Sequence, residues 1–130
     1  MNEILFLNTP IIHLRFASNF AFEKISDILQ AKGMNPEVAI ERAQAVFASE
    51  SDKASLFMHN LQSYFDLSIM SKIYEYIARK ALFQEPLSLS SYDQLLRMMQ
   101  QVYSSALSES ELKALRQISQ ANRYGIALVR

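Results

Sequence analysis

The chain has 130 residues, of which half are apolar and 20% are charged, and its thirteen basic side chains balance its thirteen acidic ones. A chain of this length falls in the size range of one domain and buries roughly two-thirds of its unfolded surface. Zero net charge removes the broad positive field on which non-specific nucleic-acid binding depends, and the lack of cysteine excludes disulfides, thiolate zinc sites and cysteine nucleophiles.

The first predicted helix starts in "NTPIIHLRF" and extends to about Lys32. Asn8 or Thr9 is suited to the N-cap, and Pro10 to the first helical position, where its missing N–H costs nothing. Apolar residues recur every three or four positions and indicate one buried face: Leu14, Ala17, Ala21, Ile25 and Ile28. Gly33 then predicts a left-handed stop.

The second predicted helix begins in the same way, with Asn35 as the cap and Pro36 at the first position. Its inner face contains small residues that allow a neighbour to approach closely: Ala39, Ala43, Val46 and Phe47. The sequence "SESD" then interrupts the pattern and offers a new cap at Ser51 or Asp52.

A long apolar stripe between Lys53 and about Phe83 predicts the third helix. Its members are Phe57, Leu61, Phe65, Ile69, Ile73, Tyr76 and Ile77. An unbroken helix of this length would extend roughly 45 Å. The residues from Asp66 to Ser68 have capping chemistry, so they favour a kink or a break at 66–68.

Two more helices are predicted near the C-terminus, one from Ser90 or Ser91 and one from the sequence "SESE". In "SESE", Ser108 can accept from the third helical N–H while Glu111 reaches back to the cap, which is the spacing of a capping box. Gly125 ends the last helix and leaves "IALVR" as an apolar tail that needs a groove to cover it. No strand-like alternation is found, so the sequence predicts one all-α domain over residues 1–130, a compact bundle of about five helices.

The sequence contains no pattern typical of a catalytic or metal site. Its two histidines, His13 and His59, lie on separate predicted helices without a second histidine one turn away. The serines lie in caps and loops, and none lies in a Gly-x-Ser-x-Gly elbow. The sequence therefore predicts no catalytic residue, no metal ligand and no cofactor, and it favours a protein that is not an enzyme.

Aromatic and basic residues alternate in "SKIYEYIARK", residues 71 to 80, as they do on some surfaces that stack bases. On a helix, Tyr76 coincides with the apolar stripe, whereas Tyr74 points away from it and is the ring expected at the surface, in a protein contact. The last two helices resemble a weak helix-turn-helix, with few side chains available for DNA: Lys113, Arg116, Gln117 and Gln120. Helix packing is favoured over nucleic-acid binding in both places.

High apolar content and few charges favour a non-enzymatic protein-interaction module, either a homo-oligomer such as a C2 dimer or an adaptor for another protein. Methionines at this helical spacing more often fill a core, and the alternative is an adaptable groove that receives a partner helix. The candidate partner-binding residues are Tyr74, Met98, Met99, Tyr103, Ile126 and Leu128. The N-terminal "ILFL" is a further candidate for a patch shared between two copies.

Three other interpretations stay open at this point: a secretion-type chaperone or regulator that holds a partner helix, a bundle that carries an apolar small molecule, and the weak helix-turn-helix DNA binder. The start "MNEILFLNTP" lacks the basic region and the cleavage site of a secretory signal. No run approaches the roughly 20 apolar residues that cross a bilayer. The expectation is a soluble, cytoplasmic protein without a membrane segment.

Overall fold

The computed structural model describes residues 3–5 and 11–129, and the side chains of 21–47 and 50–129. This part of the chain forms six α-helices and one short pair of strands. The elements are β1 Glu3–Leu5, α1 Ile11–Ala31, α2 Pro36–Ala45, α3 Ala54–Gln62, α4 Leu67–Leu82, α5 Tyr92–Tyr103, α6 Glu109–Tyr124 and β2 Ala127–Val129, with a 3₁₀ helix Ala48–Lys53 before α3. The all-α prediction is confirmed, with six helices in place of five.

The sixth helix arises because the long third block is broken, as the sequence predicts. α3 ends at Gln62, and α4 starts after Asp66, whose side chain accepts a hydrogen bond of 2.9 Å from the Ile69 N–H. That bond satisfies one of the amides that the start of a helix leaves without an intrahelical partner. The break allows α4 to leave the direction of α3 and to pack against α1, α2 and α5.

Most of the predicted helix limits in the described residues are confirmed by their caps. Asn35 accepts from the Glu37 N–H, Ser91 accepts from the Gln94 N–H, and Gly125 ends α6 with a left-handed φ of 70°.

The predicted cap of the third block at Ser51 or Asp52 is wrong. Both residues lie inside the 3₁₀ helix, and α3 begins at Ala54 without a side-chain cap. The caps predicted at 8–10 fall outside the described residues.

The core lies where α1 packs against α2, α3 and α4, with α5 and α6 completing the bundle beside α4 and α3. Phe47 joins two of these layers, because its ring lies 6.0 Å from that of Phe22 and 6.1 Å from that of Phe57, measured between centroids. Such edge and tilted contacts between aromatic rings stabilise a core beyond the area that they bury.

Tyr74 and Tyr76 are both buried, with 7% of each residue exposed. The prediction is confirmed for Tyr76, but the surface position predicted for Tyr74 is wrong. α4 has neighbours on several sides, so its buried face is wider than the single stripe seen in the sequence. The Tyr74 hydroxyl accepts a hydrogen bond of 3.2 Å from the Gln62 amide, and burial raises the pKa of this phenol.

The two ends of the chain meet in a short antiparallel pair, with Glu3 opposite Val129 and Leu5 opposite Ala127. The sequence has no strand-like alternation that reveals this short pair. Alternation over three residues is too short to be recognised in a sequence. The apolar tail is covered by its own chain, since β2 packs against α3 and α6 and Leu128 is buried.

Within the described helices, none combines the length and the apolar character needed to span a bilayer.

The start of α6 carries the predicted capping box. The Ser108 N–H donates to the Glu111 carboxylate over 2.8 Å, and the Ser108 hydroxyl accepts from the Glu111 N–H over 3.2 Å. Hydrogen bonding of the Glu111 carboxylate to the Ser108 backbone N–H, and to a smaller extent to the Ser108 hydroxyl, lowers the pKa of Glu111. A carboxylate with a lowered pKa in the folded state stabilises the fold above its unfolded pKa, and that contribution is lost as the pH falls through the folded pKa.

We expect Glu111→Gln to lower the free energy of unfolding at pH 7 by about 0.5 kcal/mol, the size of a charge effect at an exposed helix end. The difference from the unsubstituted chain should shrink as the pH falls below about 4.5, because the Glu111 carboxylate is then progressively protonated. Urea denaturation followed by circular dichroism between pH 3 and pH 7 measures this difference. Glu109→Gln removes a charge from the same turn at a residue outside the capping box. Equal pH profiles for both variants would contradict the prediction.

Candidate interaction surface

The six side chains predicted to bind a partner lie in or against the core of their own chain. Met98, Met99 and Leu128 are fully buried, Tyr74 is nearly so, and Tyr103 and Ile126 are half-buried against the same core. They do not form one continuous surface. Their role in binding a partner stays a prediction. More exposed apolar residues lie elsewhere, on α2 and at the end of α4.

Tyr103 illustrates how these side chains are used within the chain. Its ring packs against that of Phe65, with centroids 6.4 Å apart. Burial and the nearby negative charge of Glu111 raise the pKa of the Tyr103 phenol. The phenol is therefore neutral at pH 7 and is a poor general base, since efficient bases have pKa values near the working pH.

A buried amide pair, Asn60 of α3 and Asn122 of α6, lies at the centre of the contact between the tail and the bundle. The Asn60 amide donates to the Asn122 side-chain oxygen over 2.7 Å and to the Ile126 carbonyl over 3.0 Å. The Asn60 oxygen accepts from the Leu128 N–H over 2.8 Å, and the Asn122 amide donates to the Leu89 carbonyl over 2.9 Å. The pair thus joins α3, α6, β2 and the loop after α4.

Further side chains complete this contact. The Leu128 carbonyl accepts from the Ser63 hydroxyl over 3.1 Å and lies 3.1 Å from His59 Nε2. The Ser119 hydroxyl donates to the Ser90 carbonyl over 2.8 Å. Within the described side chains, each buried polar atom has a hydrogen-bond partner. Because the buried polar side-chain atoms of this cluster already have hydrogen-bond partners within the chain, we assign the cluster a role in stabilising the fold.

Sequence reasoning missed the buried amide pair, although a signal is present. Asn60 occupies a position between Phe57 and Leu61 on the apolar face of α3, and Asn122 lies one turn after the core residue Ile118. A polar amide at a core position needs a hydrogen-bonding partner nearby. The periodicity therefore indicates that each amide has a partner, but it does not indicate which one.

An open groove lies between α2 and the loop that follows α4, with a volume of about 480 Å³. Small apolar groups and charged residues line it: Glu41, Arg42, Ala45, Val46, Ala81, Gln84, Glu85 and Pro86. Two long-range bonds hold its walls together, one of 3.1 Å from the Arg42 guanidinium to the Leu82 carbonyl and one of 2.7 Å from the Leu87 N–H to the Val46 carbonyl. The volume is in the range of known binding clefts.

One end of the groove is formed by the C-terminus of α4, which stops without a glycine. Gln84 has a left-handed φ of 54°, and the Glu85 N–H donates to the Lys80 carbonyl over 2.9 Å, as in a Schellman motif. An apolar contact usually accompanies this motif. Here the same two positions carry an ion pair, with Lys80 Nζ 3.8 Å from the Glu85 carboxylate.

Phe83 lies at this helix end, next in sequence to residues that line the groove. It lies between Leu82, whose carbonyl holds Arg42, and Gln84, which lines the groove, and 65% of it is exposed. Val38, also exposed, lies one turn before Arg42 and extends the same face of α2. Two exposed apolar side chains therefore belong to the same segments of the chain as the apolar lining residues Ala45, Val46, Ala81 and Pro86.

The α6 residues considered for DNA binding are partly engaged within the chain. The Arg116 guanidinium lies over the Tyr92 ring, 5.4 Å from its centroid, and the Gln117 side chain accepts a hydrogen bond from the Tyr64 hydroxyl. Two of the four candidate DNA-binding side chains, Arg116 and Gln117, are therefore engaged in contacts within the chain. These contacts favour a packing role for this face of the helix over contact with DNA.

In the part of the chain that the structure describes, no three His, Cys, Asp or Glu residues come close enough to hold a metal ion. His59 contacts the tail carbonyl instead, and the side chain of His13 is outside the described set.

No family model matches the chain, and no curated protein or solved structure shows significant similarity to it.

We expect Asn60→Ala to lower the free energy of unfolding by about 2–3 kcal/mol. The substitution leaves the Leu128 N–H and the Asn122 side-chain oxygen without their partner inside the protein, and each buried unpaired group costs about 1–3 kcal/mol. Urea denaturation measures the change. The control is Gln120→Ala, at an exposed site on α6, which should change the free energy of unfolding by no more than about 0.5 kcal/mol. If Asn60→Ala also lowers the free energy of unfolding by no more than about 0.5 kcal/mol, the structural role of the pair is refuted.

Proposed function

We propose that the chain is a non-enzymatic protein-interaction module that forms a homodimer through the groove and Phe83. The supporting observation is an aromatic residue, 65% exposed, that directly precedes the groove-lining residues Gln84, Glu85 and Pro86. Contiguous apolar surface on a soluble protein often marks an interaction site, whereas single exposed apolar residues are common. An occupant with complementary chemistry is a second copy, which brings its own Phe83.

The geometry suits a closed dimer. In a C2 interface each copy offers the same patch, so a residue and the groove beside it can be exchanged reciprocally. Because Phe83 directly precedes the groove-lining Gln84, a two-fold axis close to the rim places each ring in the groove of the other copy. Val38, one helical turn before Arg42 on α2, adds exposed apolar area beside the groove.

The size of the contact predicts a weak dimer. Full burial of an aromatic side chain contributes about 1.5–3 kcal/mol, so two Phe83 rings contribute about 3–6 kcal/mol. Association costs about 4–15 kcal/mol in lost freedom. The other apolar and charged residues around the groove must supply the rest of the favourable free energy of association. We expect a dissociation constant in the micromolar range. An adaptor that binds another protein would use the same groove, with a partner side chain in place of Phe83.

We expect Phe83→Ser to raise the dimer dissociation constant by about a hundredfold or more. Two buried rings are lost per dimer, about 3 kcal/mol, and every 1.4 kcal/mol is tenfold. Sedimentation equilibrium between about 10 and 300 µM measures the constant. The control is Leu67→Ser, which removes a residue that is 86% exposed at the opposite end of α4. A chain that stays monomeric over this range, or an equal effect of both substitutions, would overturn the proposal.

A further inference from the structure

β2 is held from both sides, although it has one neighbouring strand in the described residues. The N–H and C=O of Leu128 bond to side chains of α3 and the residue after it, namely Asn60 and Ser63. In an antiparallel strand both backbone groups of one residue point to one side and those of the next residue point to the other. Ala127 and Val129 therefore present their N–H and C=O groups to the side where β1 lies.

β1 is held less firmly than β2. Its three residues pack chiefly against β2, whereas β2 also packs against α3 and α6 and is fixed by the buried amide pair. A pair of strands this short is marginally stable without further packing. The bonds that fix β2 do not involve β1, so β2 keeps its position when β1 leaves.

We propose that the edge of β2 is a strand-docking site that exchanges β1 between two copies of this chain. The occupant is the β1 segment of the second copy, because an identical strand makes the same register and the same backbone bonds. The strand pairing is the same whether β1 docks on its own chain or on a second copy, and only the path of the segment after β1 differs. An identical element exchanged in this way is the condition for domain swapping. β1 recognises β2 through backbone groups, as in strand addition.

The length of the segment that joins β1 to α1 limits how far β1 can extend towards a second copy. Residues 6–10 join Leu5 to Ile11, and six steps along an extended chain span at most about 20 Å. The second copy must therefore bring the start of its α1 within that distance of β2. The exchange is reciprocal, so it closes as a C2 dimer, and it uses none of the residues that line the groove.

The lack of cysteine provides a direct test. Glu3 and Val129 are opposite each other, at a Cα separation of about 5.5 Å for a hydrogen-bonded pair, which is within the range of disulfides. Full-length single variants Glu3→Cys and Val129→Cys are mixed at about 100 µM and oxidised. Every variant used here also carries Phe83→Ser, so that a groove dimer is weakened to the same extent in all mixtures. We expect a disulfide-linked dimer of the two different chains.

Two comparisons decide the outcome. Glu3→Cys mixed with Ser105→Cys, an exposed loop position, reports random collision, and the Glu3–Val129 combination should exceed it at least tenfold. The double variant Glu3→Cys, Val129→Cys at about 1 µM should instead close within one chain, which checks the register. Equal yields in the two mixtures would refute exchange, and failure of the double variant to close would refute the docking site itself. Neither result bears on the groove.

Discussion

The buried amide pair is the contact on which the placement of both chain ends depends. The tail is buried, so its backbone N–H and C=O groups need partners away from water. From helix α3, Asn60 accepts from the Leu128 N–H and donates to the Ile126 carbonyl, and the Ser63 hydroxyl donates to the Leu128 carbonyl. Gly125 makes this arrangement reachable, because its left-handed conformation ends α6 and turns the chain back so that Ile126 and Leu128 meet α3. β1 then has a fixed edge to pair with.

The other end of the molecule depends on the break before Asp66. Two shorter helices in place of one long rod allow α4 to cross the bundle and to contact α1, α2 and α5. Its C-terminus consequently ends beside α2, where the Leu82 carbonyl is held by Arg42. The groove and the exposed Phe83 follow from that ending. The Asp66 N-cap therefore determines both how α4 packs and where the proposed interaction surface lies.

Local features were predictable from the sequence and distant ones were not. The caps at Asn35, Ser91 and Ser108 depend on residues two or three positions apart, so composition and spacing reveal them. The amide pair joins residues 62 positions apart, and the Arg42 contact in the groove wall joins residues 40 apart. Periodicity shows which face of a helix is buried but not which neighbour covers it, and the exposure predicted for Tyr74 failed for that reason.

Native-state hydrogen exchange at the Leu128 amide tests most directly whether the amide pair anchors the tail. We expect this amide to exchange only through global unfolding, because its bond to Asn60 is buried, while the amides of Ala127 and Val129 exchange sooner as β1 departs. A Leu128 amide that exchanges as fast as its two neighbours would contradict this anchoring role, since the tail would then separate from α3 without unfolding of the bundle.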